Sequence, residues 1–243
     1  LLKFMKKYTK HESINAETTS GNMKRFSLNF KRSRIFELFE LKKHGIEGAL
    51  TPEEEQICQN LLNMEEMPVY PIPQKFIDVP REYQVTGYQW LRFLFENRFG
   101  ACLADDMGLG KTVQVISYLA KKLTKNKNMK TLIISPKSLV YNWHNEIQKF
   151  CPKLNVHVWD AGKLKEEEFE KSHVILVSYP LLQRAKDFNF SFDYLILDEA
   201  QMIKNSASLT HKAVANIEAG FKLALTGTPI ENHAGDLMSI FNI

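Results

Sequence analysis

No run of apolar residues in this 243-residue chain approaches the roughly 18–20 that a membrane-spanning helix requires. The opening stretch, LLKFMKKYTKHES, lacks the basic-then-apolar order of a secretory leader. Cysteine is scarce: Cys58, Cys102 and Cys151 are odd in number and far apart, which excludes a disulfide framework and a Cys-x-x-Cys zinc motif and leaves buried, reduced thiols. The seven histidines show no metal-ligand spacing. With 11 Gly, 9 Pro and 25% charged residues, the composition excludes collagen-like, mucin-like and wholly disordered chains. There is no internal repeat. What remains is an ordinary soluble profile with length for one large or two modest domains, and no membrane partner is expected.

Charge is nearly balanced, at +4, but unevenly placed. Residues 1–43 carry eleven Lys/Arg against four Asp/Glu, and residues 44–80 carry one against seven. The basic part is a candidate for nucleic acid, although a solvated surface is the commoner meaning of such a run. The first twenty residues are polar without a clear period and are expected to be a tail, and a chain opening at Leu1 is expected to be a fragment. RFSLNF (25–30) alternates as a short strand, and Ser33 caps a helix that ends at Gly45. In TPEEEQICQNLLNM (51–64), Thr51, Pro52 and Glu54 form a helix start with a capping box. The proline-punctuated VYPIPQKFIDVP (69–80) interrupts it, so an accessory region is expected over 1–79 and the main domain over 80–243.

From residue 81 short apolar runs alternate with helical stretches, the pattern of a mainly parallel sheet flanked by helices. Strands are expected at 100–105, 131–135, 155–159, 173–178, 194–198 and 222–227, with helices at 86–97, 112–124, 138–150, 208–218 and 232–242. In LADDMGLGKTVQVISYL (103–119) a strand runs through a glycine-bearing loop into a helix. Such a loop gathers backbone N–H groups around phosphate oxygens, with the helix N-terminus adding positive potential. Gly108 and Gly110 permit close approach, Lys111 reaches the phosphates, and the Thr112 hydroxyl is suited to Mg²⁺. The first position of the usual glycine-lysine pattern is here Asp105, and a glycine turn before a helix is the competing reading. Further along, FDYLILDEAQMIKN (192–205) ends a buried strand in Asp198-Glu199. Parallel strands bring their C-terminal ends to one edge, so Asp198 can meet the Mg²⁺ held by Thr112, and Glu199 can deprotonate a water.

With these two segments and four others, the chain resembles the first RecA-like lobe of the superfamily-two helicase-like ATPases, within them the SWI/SNF-type DNA translocases, especially bacterial members. PREYQVTGYQWLRFL (80–94) looks like the family's Q motif, LADDMGLGKT motif I, LIISPKSLVYNWHNEI motif Ia, VILVSYPLL motif Ib, DEAQ motif II and LALTGTPIEN motif III. The resemblance implies ATP binding by Arg81, Tyr83, Gln84, Asp106, Met107, Gly108, Leu109, Gly110, Lys111 and Thr112. Gln84 would read the adenine edge; on its own it also reads as a helix-start residue. Lys111, Asp198 and Glu199 would be catalytic, with Mg²⁺ on Thr112 and Asp198.

Ser135, Pro136, Lys137, Ser138, Ser178 and Tyr179 would face DNA, although strand termination explains the last two as well. Gln201, Thr226, Gly227, Thr228 and Pro229 would couple the γ-phosphate to lobe closure. Trp143 falls with Leu139 and Ile147 at i, i+4, i+8 and is expected in the core. Asp106 stands where relatives usually have Glu.

The reading is therefore the ATP-binding lobe of a double-stranded DNA translocase, intracellular and cytoplasmic or nucleoid-associated, engaging DNA without sequence specificity and paired with a second RecA-like lobe. That second lobe is not in this chain, so the isolated lobe is expected to turn over little ATP. A strand-separating RNA or DNA helicase is the alternative, and a nucleotide-gated binding module a third reading.

Overall fold

The computed structural model describes residues 14–18, 24–28, 39, 50–62, 68–76, 80–185, 188–228, 239, 240 and 243. The chain divides into two compact units, Leu1–Met67 and Pro68–Ile243. In the first, β1 (Ile14–Thr18) and β2 (Lys24–Leu28) pair antiparallel with Ile14 opposite Leu28. The strand β1 corrects the expectation of a tail there: its backbone bonds come from β2, which a polar sequence without a period does not advertise. Helix α1 (Pro52–Leu62) starts as expected. Thr51 Oγ1 accepts from the Glu54 N–H at 3.2 Å while Glu54 Oε2 accepts from the Thr51 N–H at 2.8 Å. The helix expected after Ser33 lies outside the described residues apart from Phe39.

The second unit begins ahead of residue 80. Within it Tyr70 exchanges hydrogen bonds with Gln89 of helix α2 (Glu82–Glu96), and the Tyr88 hydroxyl donates to Pro71 O at 3.1 Å. The chain then alternates strand and helix: β3 (Ala101–Leu103), α3 (Lys111–Lys125), β4 (Thr131–Ser135), α4 (Val140–Phe150), β5 (Val156–Trp159), α5 (Glu166–Lys171), β6 (Val174–Ser178), α6 (Tyr179–Arg184), β7 (Phe192–Leu197), α7 (Leu209–Ala215) and β8 (Ala219–Leu225). The six strands form one parallel sheet in the order β3-β8-β7-β4-β6-β5. This is the α/β architecture expected from the alternation. The short helices α5 and α6 were not expected, and the helix expected at 232–242 falls almost wholly outside the described residues.

A parallel sheet covered on both faces needs strands that are apolar throughout, and every residue of β4 is buried. Successive side chains go to opposite faces. Ile133, Leu176, Ile196 and Leu223 meet Leu91, Val115, Ile116, Leu119 and Trp143 of α2, α3 and α4. Leu132, Ile134, Ile175, Val177, Leu195 and Leu197 meet Leu182 of α6 and Val214 of α7. The C-terminal ends of all six strands therefore lie along one edge, and the loops that follow them share it. Among the described residues no helix is long and apolar enough to cross a membrane.

Candidate nucleotide-binding site

The loop between β3 and α3 turns on two glycines in the left-handed region, Gly108 at φ 82° and Gly110 at φ 75°. A side chain disfavours that region, and at Gly110 there is also no room. A Cβ there would lie 2.4 Å from Gln84 Nε2, whereas one on Gly108 would meet open space. The crowding arises because Gln84 clamps the loop. Its Nε2 donates to Leu109 O at 2.8 Å, and the Tyr83 hydroxyl donates to the same carbonyl at 3.1 Å. Gln84 Oε1 accepts from the Arg81 N–H at 2.9 Å at the start of α2, so both ends of the amide are engaged within the chain. Arg81, Asp106 and Met107 are exposed beside this clamp.

Lys111 opens α3 and folds back into the loop, its Nζ donating to Asp105 O at 2.7 Å and Asp106 O at 3.1 Å. Asp105 is held in turn by Gln114, a buried residue whose Nε2 donates to Asp105 Oδ2 at 2.8 Å. Gln114 packs over Gly87 of α2: a Cβ there would lie 1.9 Å from Gln114 Oε1, so the amide would have to shift. Thr112, the second residue of α3, is partly exposed at the same helix end.

Asp198 follows β7, two strands from the loop's own strand, with β8 between them. Its Oδ2 accepts from Trp143 Nε1 at 2.8 Å and its Oδ1 from the Glu199 N–H at 3.0 Å. Burial pushes the Asp198 carboxyl above the ordinary carboxylate range; the Trp143 hydrogen bond opposes this, the Glu199 charge adds to it, and the Glu199 N–H and Lys111 pull the other way. A carboxylate left short of positive charge is a natural partner for a cation. Mg²⁺ commonly takes one or two protein carboxylates together with substrate phosphates, and a set of Thr112 hydroxyl and Asp198 carboxylate fits that habit. Among the described residues no group of three or more His, Cys, Asp or Glu side chains could hold a metal by itself.

Glu199 adopts φ 50°, the left-handed region that a non-glycine residue occupies only when its surroundings hold it there. The conformation aims its N–H at Asp198 and its carboxylate at Gln201, whose Nε2 donates to Glu199 Oε2 at 2.6 Å. Gln201 Oε1 accepts from the Thr226 hydroxyl at 2.8 Å, and Thr226 Oγ1 accepts from the Thr228 N–H at 3.1 Å. Thr226 is fully buried and its own N–H donates to Leu103 O at 3.2 Å. Gly227 packs so closely on the glycine loop that a Cβ there would meet Met107 Cγ at 3.0 Å. The end of β8 thus touches both halves of the site. Pro229 lies outside the described residues.

Of the six residues expected to face DNA, Lys137 and Ser138 are exposed and Pro136 and Ser178 partly so. Ser135 and Tyr179 correct that expectation, since both are buried, at 2% and 1% exposure. Ser135 Oγ turns back to Pro136 O at 3.3 Å, and the Tyr179 hydroxyl donates to Asp198 O at 2.8 Å. Trp143 is in the core, as its spacing predicts, yet it also holds Asp198. A buried indole N–H needs a partner, and that requirement was the available signal. Glu146, one turn beyond Trp143 on α4, was not anticipated either: burial raises its carboxyl, Lys149 lowers it and the Asp198 charge raises it further. It lies within electrostatic reach of the site.

Residues 83–243 match the family pattern described as the SNF2-related domain. The chain is 44% identical over 177 residues to an ATP-dependent helicase of Mycoplasma pneumoniae, covering 70% of this chain and 17% of that protein. It is 38% identical over 173 residues to the ATP-dependent helicase FUN30 of Saccharomyces cerevisiae, covering 66% and 15%. The chain thus spans less than a fifth of the length of either relative. Among solved structures it resembles the Sulfolobus solfataricus SWI2/SNF2 ATPase core in complex with dsDNA, with TM-score 0.62 and 38% identity over 72% of this chain and 36% of that one.

Proposed function

The chain belongs to the SNF2-related family, and from that premise we propose that residues 80–243 are the first RecA-like lobe of an ATP-driven translocase on double-stranded DNA. The observation that carries this reading is the chain of hydrogen bonds Glu199–Gln201–Thr226–Thr228 between the end of β7 and the end of β8, which itself packs on the glycine loop. A site that only held nucleotide would have no need of a link from the water-activating carboxylate to the loop after β8. In this reading the loop amides and Lys111 cradle the phosphates, while Tyr83 and Gln84 hold the loop in its binding shape. Thr112 and Asp198 would hold Mg²⁺, whose charge would offset that gathering on the phosphoryl oxygens. Glu199 accepts the proton of the attacking water, and Gln201 and Thr226 relay the outcome to the start of the following loop.

Lys137 and Ser138, exposed beyond β4 on the same edge of the sheet, would take DNA phosphates, which fix position without reading bases. A second lobe would supply the opposing half of both the nucleotide site and the DNA track, and repeated closure would step the protein along the duplex. The relatives are named helicases, which keeps strand separation as the second reading; displacement of a short labelled duplex distinguishes the two. The test at the nucleotide itself uses a fluorescent ATP analogue. Lys111→Ala should weaken its binding at least tenfold, and Glu199→Gln should leave binding within about twofold while abolishing turnover in the full-length protein. Hydrolysis by Glu199→Gln at the unaltered rate would remove Glu199 from the assigned role.

A further inference from the structure

Asp198 is held at every polar atom, and two of its partners come from helices that begin at the edge assigned to DNA. Its backbone N–H donates to Ile134 O at 2.8 Å, and its Oδ1 takes the Glu199 N–H. The remaining two acceptors are filled by aromatic side chains. Trp143 of α4 donates its indole N–H to Oδ2, and Tyr179, the first residue of α6, donates its hydroxyl to the carbonyl, both at 2.8 Å. The helix α4 follows the exposed Lys137 and Ser138, and α6 follows Ser178. Their strands are neighbours, with Ser135 opposite Ser178.

Simple burial would require only that the two polar groups find some acceptor. Here both find the same residue, one at its side chain and one at its backbone. A packed aromatic has few rotamers, so its polar atom moves only when its helix moves. A carboxylate oxygen that accepts from an indole N–H keeps a second lone pair free, and the hydrogen bond fixes where that lone pair points.

Resting on the reading of Asp198 as the residue that holds Mg²⁺, we propose that Trp143 and Tyr179 are positioning residues through which the starts of α4 and α6 set the orientation of the Asp198 carboxylate. A shift of α4 rotates the carboxylate through Trp143, and a shift of α6 moves its backbone through Tyr179. Contact with duplex at Lys137 and Ser138, ahead of α4, is thereby felt at the metal site without any residue touching both ligands. The electrostatic reach between Glu146 of α4 and Asp198 is consistent with that helix lying against the site.

The test titrates Mg²⁺ against binding of the fluorescent ATP analogue by the 243-residue chain, with binding in EDTA as baseline. Trp143→Phe keeps an aromatic ring, smaller than the indole, and removes the donor. It should weaken the Mg²⁺-dependent part of binding about tenfold or more, in line with groups that orient metal ligands, while binding in EDTA stays unchanged. Tyr179→Phe should do the same by about three- to tenfold. A structural role alone would lower both parts together. If Asp198→Asn loses the Mg²⁺ dependence but Trp143→Phe and Tyr179→Phe keep it, the positioning role is overturned and the reading of Asp198 stands. If Asp198→Asn keeps it too, both are overturned.

Should Trp143→Phe fail to fold, the unaltered chain still decides the matter. It has three indole N–H groups, on Trp90, Trp143 and Trp159, and their NMR signals can be assigned with Trp90→Phe and Trp159→Phe. The Trp143 signal should move when Mg²⁺ is added to the chain with ADP. A signal unmoved by the metal overturns the proposal.

Discussion

At the scale of single residues, the two loop glycines separate two requirements that a glycine can meet. Gly108 and Gly110 both occupy the left-handed region, but only Gly110 faces another atom within reach of a Cβ. Gly108→Ala should therefore cost about 1 kcal/mol of backbone strain without a collision inside the chain, read as a small fall in thermal midpoint. Gly110→Ala adds the collision with Gln84, and should both destabilise by about 2 kcal/mol or more and weaken the ATP analogue at least tenfold. Equal effects of the two substitutions would mean that the Gln84 clamp does not shape the loop.

Much of this site was legible in the sequence. Gly-Lys-Thr after a strand and Asp-Glu after another are short patterns whose chemistry is local. The aromatic donors to Asp198 were not legible, because periodicity tells which face Trp143 occupies and says nothing about an acceptor 55 residues away. Nor could spacing show that Gly87 faces Gln114, since both sit within good helical patterns on separate helices.

At the scale of elements, the apolar runs of β4, β6 and β7 announced a sheet covered on both faces. The strand order could not be read, and it places β8 between the glycine loop and Asp198. The short helices α5 and α6 were missed because six residues are too few to show a helical period.

The packing of α2 on α3 holds a feature that composition hides. Lys122 is 3% exposed, its Nζ 3.2 Å from the Phe95 ring centroid and 3.5 Å from Glu96 Oε1. Burial lowers Lys122 to about 8; Glu96 resists this, while Arg92 and Lys125 add to it. Glu96 is itself pushed up by burial, yet Lys122, Arg92 and Lys125 together bring it below the ordinary range. An unfolded lysine titrates near 10.4. Below pH 8 both states of the chain carry the proton and the fold bears the full penalty of burying it. From about pH 8 to 10.4 the folded chain has shed a proton that the unfolded chain keeps, so stability rises with pH in that window. The stability margin of Lys122→Met over the unaltered chain should therefore be largest near pH 7 and shrink toward pH 10. Denaturant titrations at both pH values check this, and a margin that holds or grows would contradict it.

At the scale of the whole molecule, the second unit presents its glycine loop, Asp198 and the exposed Lys137 and Ser138 along one edge of one sheet. An edge of that kind binds from one side only. In the proposed function the phosphates of a nucleotide and of a duplex would remain open on the other side, where a second lobe would close. The family resemblance suggested this arrangement, whereas composition gave only a slightly basic chain whose surface fits many anionic partners.

The measurement that tests the central claim most directly is steady-state ATP hydrolysis by the full-length protein at one fixed salt concentration. Double-stranded DNA, single-stranded DNA, RNA and no nucleic acid are compared, with Glu199→Gln as the blank. A motor lobe of a duplex translocase predicts stimulation of at least tenfold that is strongest with double-stranded DNA, and little turnover by the isolated 243-residue chain. Stimulation chiefly by RNA or single strands, or a rate indifferent to all three, would contradict it.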